Sequence, residues 1–370
     1  MLTAHRGLLD SLAQRGRLRA RRQVAGVDFA SNDYLGLAGS PLLRDLTRDA
    51  LDRVPMGAGA ARLLRGNHPS FDALEAEAAM HFGSPAALYF GCGYAANLAI
   101  FSALPQARDL VLHDALIHAS ARDGMRLGAA ETRPFPHNDL DAIRDGIRDW
   151  RARGGRGQVW IAAESLYSMD GDFAAVDDLA RLAKAEDAFL ILDEAHAGGI
   201  WGPQGRGLAA PHVGHEQVIT LHTCGKALGV QGALVCAAPA LIEVLVNRAR
   251  SFIYSTAPSP LLAEVLRGVL VHLARDDSRR QALVARCGLM RDLARGIGLA
   301  PSASQILPVI LPGDARCLAA SAALAEAGFD IRAIRAPTVP KGAERLRLSL
   351  TLNAGEAALR TAFAALAPLI

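Results

Sequence analysis

Only three lysines stand in this chain of 370 residues, the other 37 basic residues all being arginine, and one of the three has surroundings suited to chemistry. Lys184 sits in Arg181-Leu182-Ala183-Lys184-Ala185-Glu186, the pattern of a solvated helix face, and Lys341 follows Pro340 in a surface turn. Lys226 lies in His222-Thr223-Cys224-Gly225-Lys226-Ala227-Leu228-Gly229, between two apolar runs. Desolvation lowers the pKa of an amine and leaves it nucleophilic, and Schiff-base formation with a carbonyl is the usual purpose.

Two further segments read as chemistry when taken with Lys226. The apolar run Ile191-Leu192 ends in Asp193, with His196 three positions later. A carboxylate at the end of a buried strand is costly unless a positive group pairs with it, although an isolated Asp also serves to cap a turn. The letters of Asp193-Glu194-Ala195-His196 match a helicase motif, but no upstream Gly-rich loop ends in Gly-Lys-Ser/Thr. The only Gly-Lys pair, Gly225-Lys226, lies downstream and is followed by Ala227, so that reading fails. Gly91-Cys92-Gly93-Tyr94-Ala95-Ala96-Asn97 follows an apolar run and opens a helix, where free backbone N–H groups favour a phosphate. By itself it is equally a plain strand-to-helix turn.

Together the three make an order: a phosphate-type turn, then an acid, then a lysine 33 residues after the acid. That order suits pyridoxal 5′-phosphate, whose phosphate takes helix-start amides, whose pyridine nitrogen takes an Asp and whose aldehyde takes a lysine. A nicotinamide-binding turn at Gly91 is the rival. It fits poorly, because the turn lies well inside the chain and gives no reason for Lys226.

These residues need a scaffold that brings loops together. Short apolar runs at Ala86–Phe90, Leu110–His113, Val159–Glu164, Phe189–Asp193, Val218–Leu221 and Ala233–Ala237 are separated by stretches of helical period. Alternation of this kind predicts an α/β domain with a mostly parallel sheet, whose ligands sit beyond the carboxyl ends of the strands. Residues 1–38 read as an amphipathic helix and a polar link, an N-terminal arm; residues 39–270 read as the large cofactor-binding domain. Residues 271–370 read as a small C-terminal α+β domain, with strands at Ile306–Leu311 and Leu346–Leu350 and a terminal helix.

Composition sets bounds. A hydrophobic fraction of 51% supports a large core, and a net charge of +3 with scattered arginines shows neither a nucleic-acid stripe nor a polybasic membrane segment. Five cysteines without a CxxC pair argue against a disulfide framework or a thiolate zinc site, and no metal is expected. No apolar stretch reads as a signal peptide or a membrane span, so the cytoplasm is the expected compartment.

Eight segments spread over nearly the whole chain resemble the α-oxoamine synthases of the type I pyridoxal-phosphate fold. They are SNDYLGL at 31–37, GNHPSFDALE at 66–75, GYAAN at 93–97, SLYSMDGD at 165–172, DEAHAGGIWGPQGRG at 193–207, TCGK at 223–226, IYST at 253–256 and AIRAPTVPKGAERLRLSLT at 333–351. The last is especially like the branch that joins L-alanine to a pimeloyl thioester on the way to biotin. The resemblance implies a seven-stranded-type sheet in the large domain and a homodimer with its active site at the subunit interface. It implies that Lys226 carries the cofactor, Asp193 pairs with the pyridine N–H, His196 and Ser168 lie by the ring hydroxyl and His118 stacks on the ring. Amides of Gly93 and Tyr94 and the Thr223 hydroxyl become phosphate contacts, Thr256 reaches the phosphate of the other subunit, and Asn32 and Arg347 bind the amino-acid carboxylate.

The implied reaction is a decarboxylating condensation of an amino acid with an acyl thioester, with Lys226 as general base and His118 assisting loss of carbon dioxide. Sister activities of the family use other amino acids and acyl chains. A catalytically silent subunit of the same fold is a further alternative, but it is free to lose Lys226, Asp193, His196 and Arg347, and all four are present. The family's usual hydroxyl-bearing glycine segment reads Gly57-Ala58-Gly59-Ala60-Ala61 here. The resemblance implies an acyl-binding arginine in the N-terminal arm, where the sequence does not separate Arg17, Arg19, Arg21 and Arg22.

Overall fold

The computed structural model describes residues 2–21 and 23–370. In chain order its strands are β1 (Val27–Asp28), β2 (Ala86–Phe90), β3 (Leu110–Asp114), β4 (Glu131–Phe135), β5 (Val159–Glu164), β6 (Phe189–Asp193), β7 (Val218–Thr223), β8 (Ala233–Ala237), β9 (Ile306–Ile310), β10 (Phe329–Asp330), β11 (Arg332–Ile334) and β12 (Arg345–Ser349). Seven of them form one sheet in the order β2-β8-β7-β6-β5-β3-β4. β4, β3, β5, β6 and β7 are parallel, and β8 is antiparallel to both β7 and β2. β8 is therefore the one reversed strand, and β2, β3, β5, β6 and β7 all deliver their carboxyl ends to the same edge.

All six apolar runs read as strands are strands of this sheet. β3 and β7 each extend one or two residues further, to Asp114 and Thr223. β4 was not foreseen, for a physical reason. Glu-Thr-Arg-Pro-Phe is polar and carries a proline, features that a sheet tolerates only at its edge, and β4 is the edge strand with only Phe135 buried.

The sheet is buried on both faces because its strands alternate two apolar sets. On one face Ile191, Ile219 and Val235 pack against Ala96, Ala99 and Ile100 of the helix Gly93–Ala103. On the other, Leu112, Ile161, Leu190 and Leu192 pack against Ile143 and Ile147 of Leu140–Ala152 and Leu179 and Leu182 of Val176–Ala185. Each such aliphatic side chain contributes roughly 1.5–3 kcal/mol on full burial.

After Ala238 the chain is helical, and Ser259 caps the helix Pro260–Leu273 through Leu262 N, with proline at its first position. Beyond the long helix Ser278–Gly296, a second sheet of order β11-β12-β9 is antiparallel throughout. Its Leu307, Val309, Leu346 and Leu348 share a core with Tyr34, Leu35 and Leu37 of the 31–37 segment. That segment is pinned to the second sheet by Ser349 N to Phe29 O at 2.8 Å and Leu352 N to Tyr34 O at 3.0 Å. The amphipathic helix expected at the start is Thr3–Gln14, and none of its residues is buried. Among the described residues no helix is long and apolar enough to cross a membrane. The three-part division at residues 38 and 270 stands as our proposal.

Candidate active site

Five strand ends converge on one cavity of about 520 Å³, a size suited to a small cofactor. Its wall takes Gly93 and Tyr94 from the loop after β2, His118 from after β3, Glu164 from the end of β5, Asp193 and His196 from β6, and Thr223 and Lys226 from β7. Asn32 of the pinned 31–37 segment closes one side.

Lys226 is half-buried in the turn that leads from β7 to β8. Burial pushes its ammonium well below the ordinary lysine range, with Arg347 acting in the same direction and Asp193 and Glu164 opposing. Asp193 is buried at the end of β6, where its Oδ2 accepts from Asn97 Nδ2 at 3.0 Å and its Oδ1 from Ala195 N at 3.0 Å. Asn97 lies four residues after Gly93, on the same face of the helix, so one helix supplies both the phosphate-type turn and the amide that aims the acid.

His196 is buried with its Nδ1 2.6 Å from the Tyr34 hydroxyl. Burial first, then the cations of Lys226 and Arg347, hold its pKa well below 6.5, so the ring is neutral. The Tyr34 hydroxyl donates to Asn32 Oδ1 at 3.0 Å, and Arg347 Nη2 donates to the same Oδ1 at 3.1 Å. Arg347 is fixed further by Nε to Ser168 O at 2.5 Å and Nη1 to Ser349 Oγ at 2.6 Å. It is only 6% exposed, yet no carboxylate lies within 4 Å of it among the described residues. A buried guanidinium without a counter-ion is unfavourable until an anion arrives.

His118 caps the helix Ala119–Leu127 and lies on the exposed rim, its Nδ1 2.7 Å from Ser120 Oγ. The Tyr94 hydroxyl donates to Asp123, and Gly93 and Tyr94 both border the cavity. A Cβ on Gly93 would meet Thr223 Cγ2 at 2.5 Å, so the helix start closes on the end of β7 as a tight cradle. Thr256 is exposed, outside the cavity, and bridges to Ala61. Ser168 borders a second cavity of about 560 Å³ that also takes His118 and is lined by Arg19, Arg122 and Thr338. Of the four arginines considered for the acyl group, Arg19 lines this space and the adjoining cleft, Arg17 lines the cleft alone, Arg21 is exposed and lines neither, and Arg22 lies outside the described residues.

Glu164, Tyr34 and Asn97 escaped the sequence reading. Glu164 and Asp193 obey one rule, an apolar strand ending in an acid, and it was applied only to Asp193.

The loop that carries Ser168 is clamped from both sides. Gly171, at φ 70°, brings its backbone against β9, and Ser304 Oγ donates to Gly171 O at 2.7 Å. From the large sheet, His137 joins Asp114, 3.0 Å from Nδ1, to Asp172, 2.8 Å from Nε2. These hydrogen bonds, Asp114 then Asp172, push the imidazole pKa up to about 10. A raised folded-state pKa means stabilisation that is complete below the ordinary value of 6.5 and gone once the pH has passed about 10. We expect His137→Leu to cost on the order of 3 kcal/mol near neutrality, because it removes the cationic partner of the buried Asp114 and leaves that carboxylate only its backbone donors, Leu116 N and Asn138 N. Denaturant unfolding should show the gap between wild type and variant narrowing steadily from pH 6.5 to 10. A gap that does not change with pH would assign the clamp to packing alone.

The tight helix-start cradle, the buried acid and the desolvated lysine fit pyridoxal phosphate. Residues 24–366 match the family Aminotransferase class I and II. The 8-amino-7-oxononanoate synthase of Anaeromyxobacter dehalogenans is 44% identical over 94% of this chain and 88% of its own. A solved 8-amino-7-oxononanoate synthase from Francisella tularensis superposes with a TM-score of 0.78 at 26% identity, covering 93% of this chain and 97% of that one. The serine palmitoyltransferase of Sphingomonas wittichii shares the fold at a TM-score of 0.89 and 24% identity, covering 100% and 96%. Fold and site define a pyridoxal-phosphate-dependent transferase of the type I fold. The chain belongs to the aminotransferase class I and II family and, within it, to the 8-amino-7-oxononanoate synthases.

Proposed function

We propose that the protein condenses L-alanine with a pimeloyl thioester, releasing carbon dioxide and free thiol and yielding 8-amino-7-oxononanoate. The observation that carries the reading is Arg347: a buried, pre-oriented guanidinium without a carboxylate partner, in the same site as Lys226 and Asp193. An α-amino acid supplies the missing anion and presents its amine to the cavity. Pyridoxal phosphate, when bound, supplies an electron sink for the charge that develops at the substrate's Cα.

The chain's own groups do the rest. Lys226 would anchor the cofactor, and its desolvated free amine would serve as the base for the substrate's Cα proton. Asp193, aimed by Asn97, would hold the proton on the pyridine nitrogen, and neutral His196 with Ser168 would border the ring hydroxyl. The amides of Gly93 and Tyr94 and the Thr223 hydroxyl hold the phosphate. Asn32 and Arg347 would hold the substrate carboxylate, and His118, at the junction of the two cavities, would cover the ring and assist loss of that carboxylate.

The second cavity suits the acyl chain, with the Arg19 and Arg122 cations available to its far carboxylate. Thr256, exposed in the single chain, suits a contact to the phosphate held by a second copy, and we assign the active form as a cytoplasmic homodimer. The test is thiol release by the cofactor-loaded protein in a grid of L-alanine, glycine and L-serine against pimeloyl, acetyl, succinyl and palmitoyl thioesters. Release confined to alanine with pimeloyl is expected. Release with another pair moves the protein to a sister activity, and none with any pair removes the enzymatic reading.

A further inference from the structure

Glu164 has no part in the chemistry so far, although it stands in the middle of it. It ends β5 as the register partner of Asp193 on β6, so two carboxyl groups leave neighbouring strand ends toward one cavity. It is 2% exposed. Its Oε2 accepts from Ser168 N at 3.3 Å, but its Oε1 has no partner, and no arginine, lysine or histidine lies within salt-bridge distance among the described residues. Glu194, buried to the same degree, makes the contrast: Ser165 Oγ at 2.7 Å, Leu208 N at 3.1 Å and Ala209 N at 2.6 Å satisfy it and give it a structural task.

An ionised carboxylate with a bare buried oxygen, beside a second carboxylate, is a costly arrangement. We propose that Glu164 is held as a neutral carboxylic acid whose ionisation is coupled through space to that of Lys226, the acid keeping its proton while the lysine is a free amine. The inference rests on Lys226 being the cofactor's anchor, a role that requires the uncharged amine. The two groups lie beyond direct hydrogen-bond reach, so each exchanges its proton with solvent: when the Glu164 Oε1–H bond breaks the proton leaves to water, and the carboxylate left behind favours the Lys226 ammonium.

The surroundings favour the neutral pair. Burial, then the charge of Asp193, pushes the Glu164 carboxyl up against Lys226 and the backbone N–H groups of Ser168 and His118, while burial pushes the Lys226 ammonium down against Asp193 and Glu164. The other groups that bear on the pair are Arg347 from β12, which favours the free amine, and His118 and His196, the latter neutral. Glu164 thus works as a positioning and proton-holding residue. Its backbone contact reaches Ser168, and its protonation state sets how much negative charge an anionic cofactor meets on entry.

The test compares the full-length wild type with Glu164→Gln, an isostere of the neutral acid, after checking that both melt alike. In cofactor-free protein at neutral pH, the infrared difference between them should contain one protonated-carboxyl band. In stopped-flow mixing with pyridoxal phosphate, covalent uptake by the wild type should rise with pH as Lys226 loses its proton and fall again as Glu164 ionises. The variant should keep the rising limb within about half a pH unit and lose the falling one. Absence of the band, an identical bell in both proteins, or a rising limb that moves down by about a unit or more would overturn the inference, the last because it means an ion pair. A wild type that takes up no cofactor covalently would instead sink the reading of Lys226, and the infrared arm would still decide the state of Glu164.

Discussion

Lys226→Ala protein is expected to bind pyridoxal phosphate without a covalent bond and to release thiol from L-alanine and a pimeloyl thioester at least about a thousandfold more slowly than wild type. The expectation follows from the scarcity of lysine as much as from the site. Lys184 and Lys341 are both exposed, Lys184 on the helix before β6 and Lys341 in the turn before β12, and neither lines the cavity of Lys226, so neither is placed to take over the anchoring or the proton transfer. Borohydride reduction of the loaded wild type followed by peptide mass mapping should place the cofactor on Lys226 alone, and Lys226→Arg should be as inactive as the alanine variant, since charge without a nucleophilic free base is useless here. A variant that kept activity within tenfold of wild type would remove Lys226 from the mechanism.

Arg347→Lys should raise the KM for the amino acid about a hundredfold while changing the KM for the thioester little. Each nitrogen of the guanidinium already has an assigned direction: Nε to Ser168 O, Nη1 to Ser349 Oγ, Nη2 to Asn32 Oδ1. Those bonds fix the plane of the fork, and a lysine ammonium reproduces neither the plane nor the second N–H. Lysine is the informative substitution. Alanine would also leave Asn32 and the Ser168 carbonyl without their donor and would mix a loss of stability into the kinetics. If the two KM values rose together, Arg347 would belong to the scaffold between the sheets and the amino-acid carboxylate would bind elsewhere.

How far these sites could be read from residues alone depended on how local their causes are. The central strands were legible because each is a short apolar run with its ligand-bearing residue at the carboxyl end, as Phe189–Asp193 shows. β4 was not, because an edge strand needs no apolar pattern. Asn97 stood in a segment already noted, four positions from Gly93, but its target, Asp193, is 96 residues away and nothing local announces the pairing. Arg347 is the sharpest case. In Arg-Leu-Arg-Leu-Ser, alternation says that Arg345 and Arg347 share a face, and such a face is ordinarily wet. Here the loop of Ser168 and Asp170 lies over it and buries both, Arg345 through Asp170 Oδ1 at 2.5 Å. A cover supplied by chain some 175 residues distant has no trace in the strand itself, and only likeness to a family singled out Arg347 beforehand.

Arg347 belongs to the second sheet, while the Ser168 carbonyl that holds its Nε belongs to a loop leaving the first. One guanidinium therefore spans the seam between the two halves of the molecule. An anion that settles on it acts as a removable rivet: the cohesion of the seam becomes a function of ligand activity, and loss of the carboxylate as carbon dioxide withdraws the rivet within the same turnover. The bond-breaking step thereby also removes the ligand's own tie across the seam.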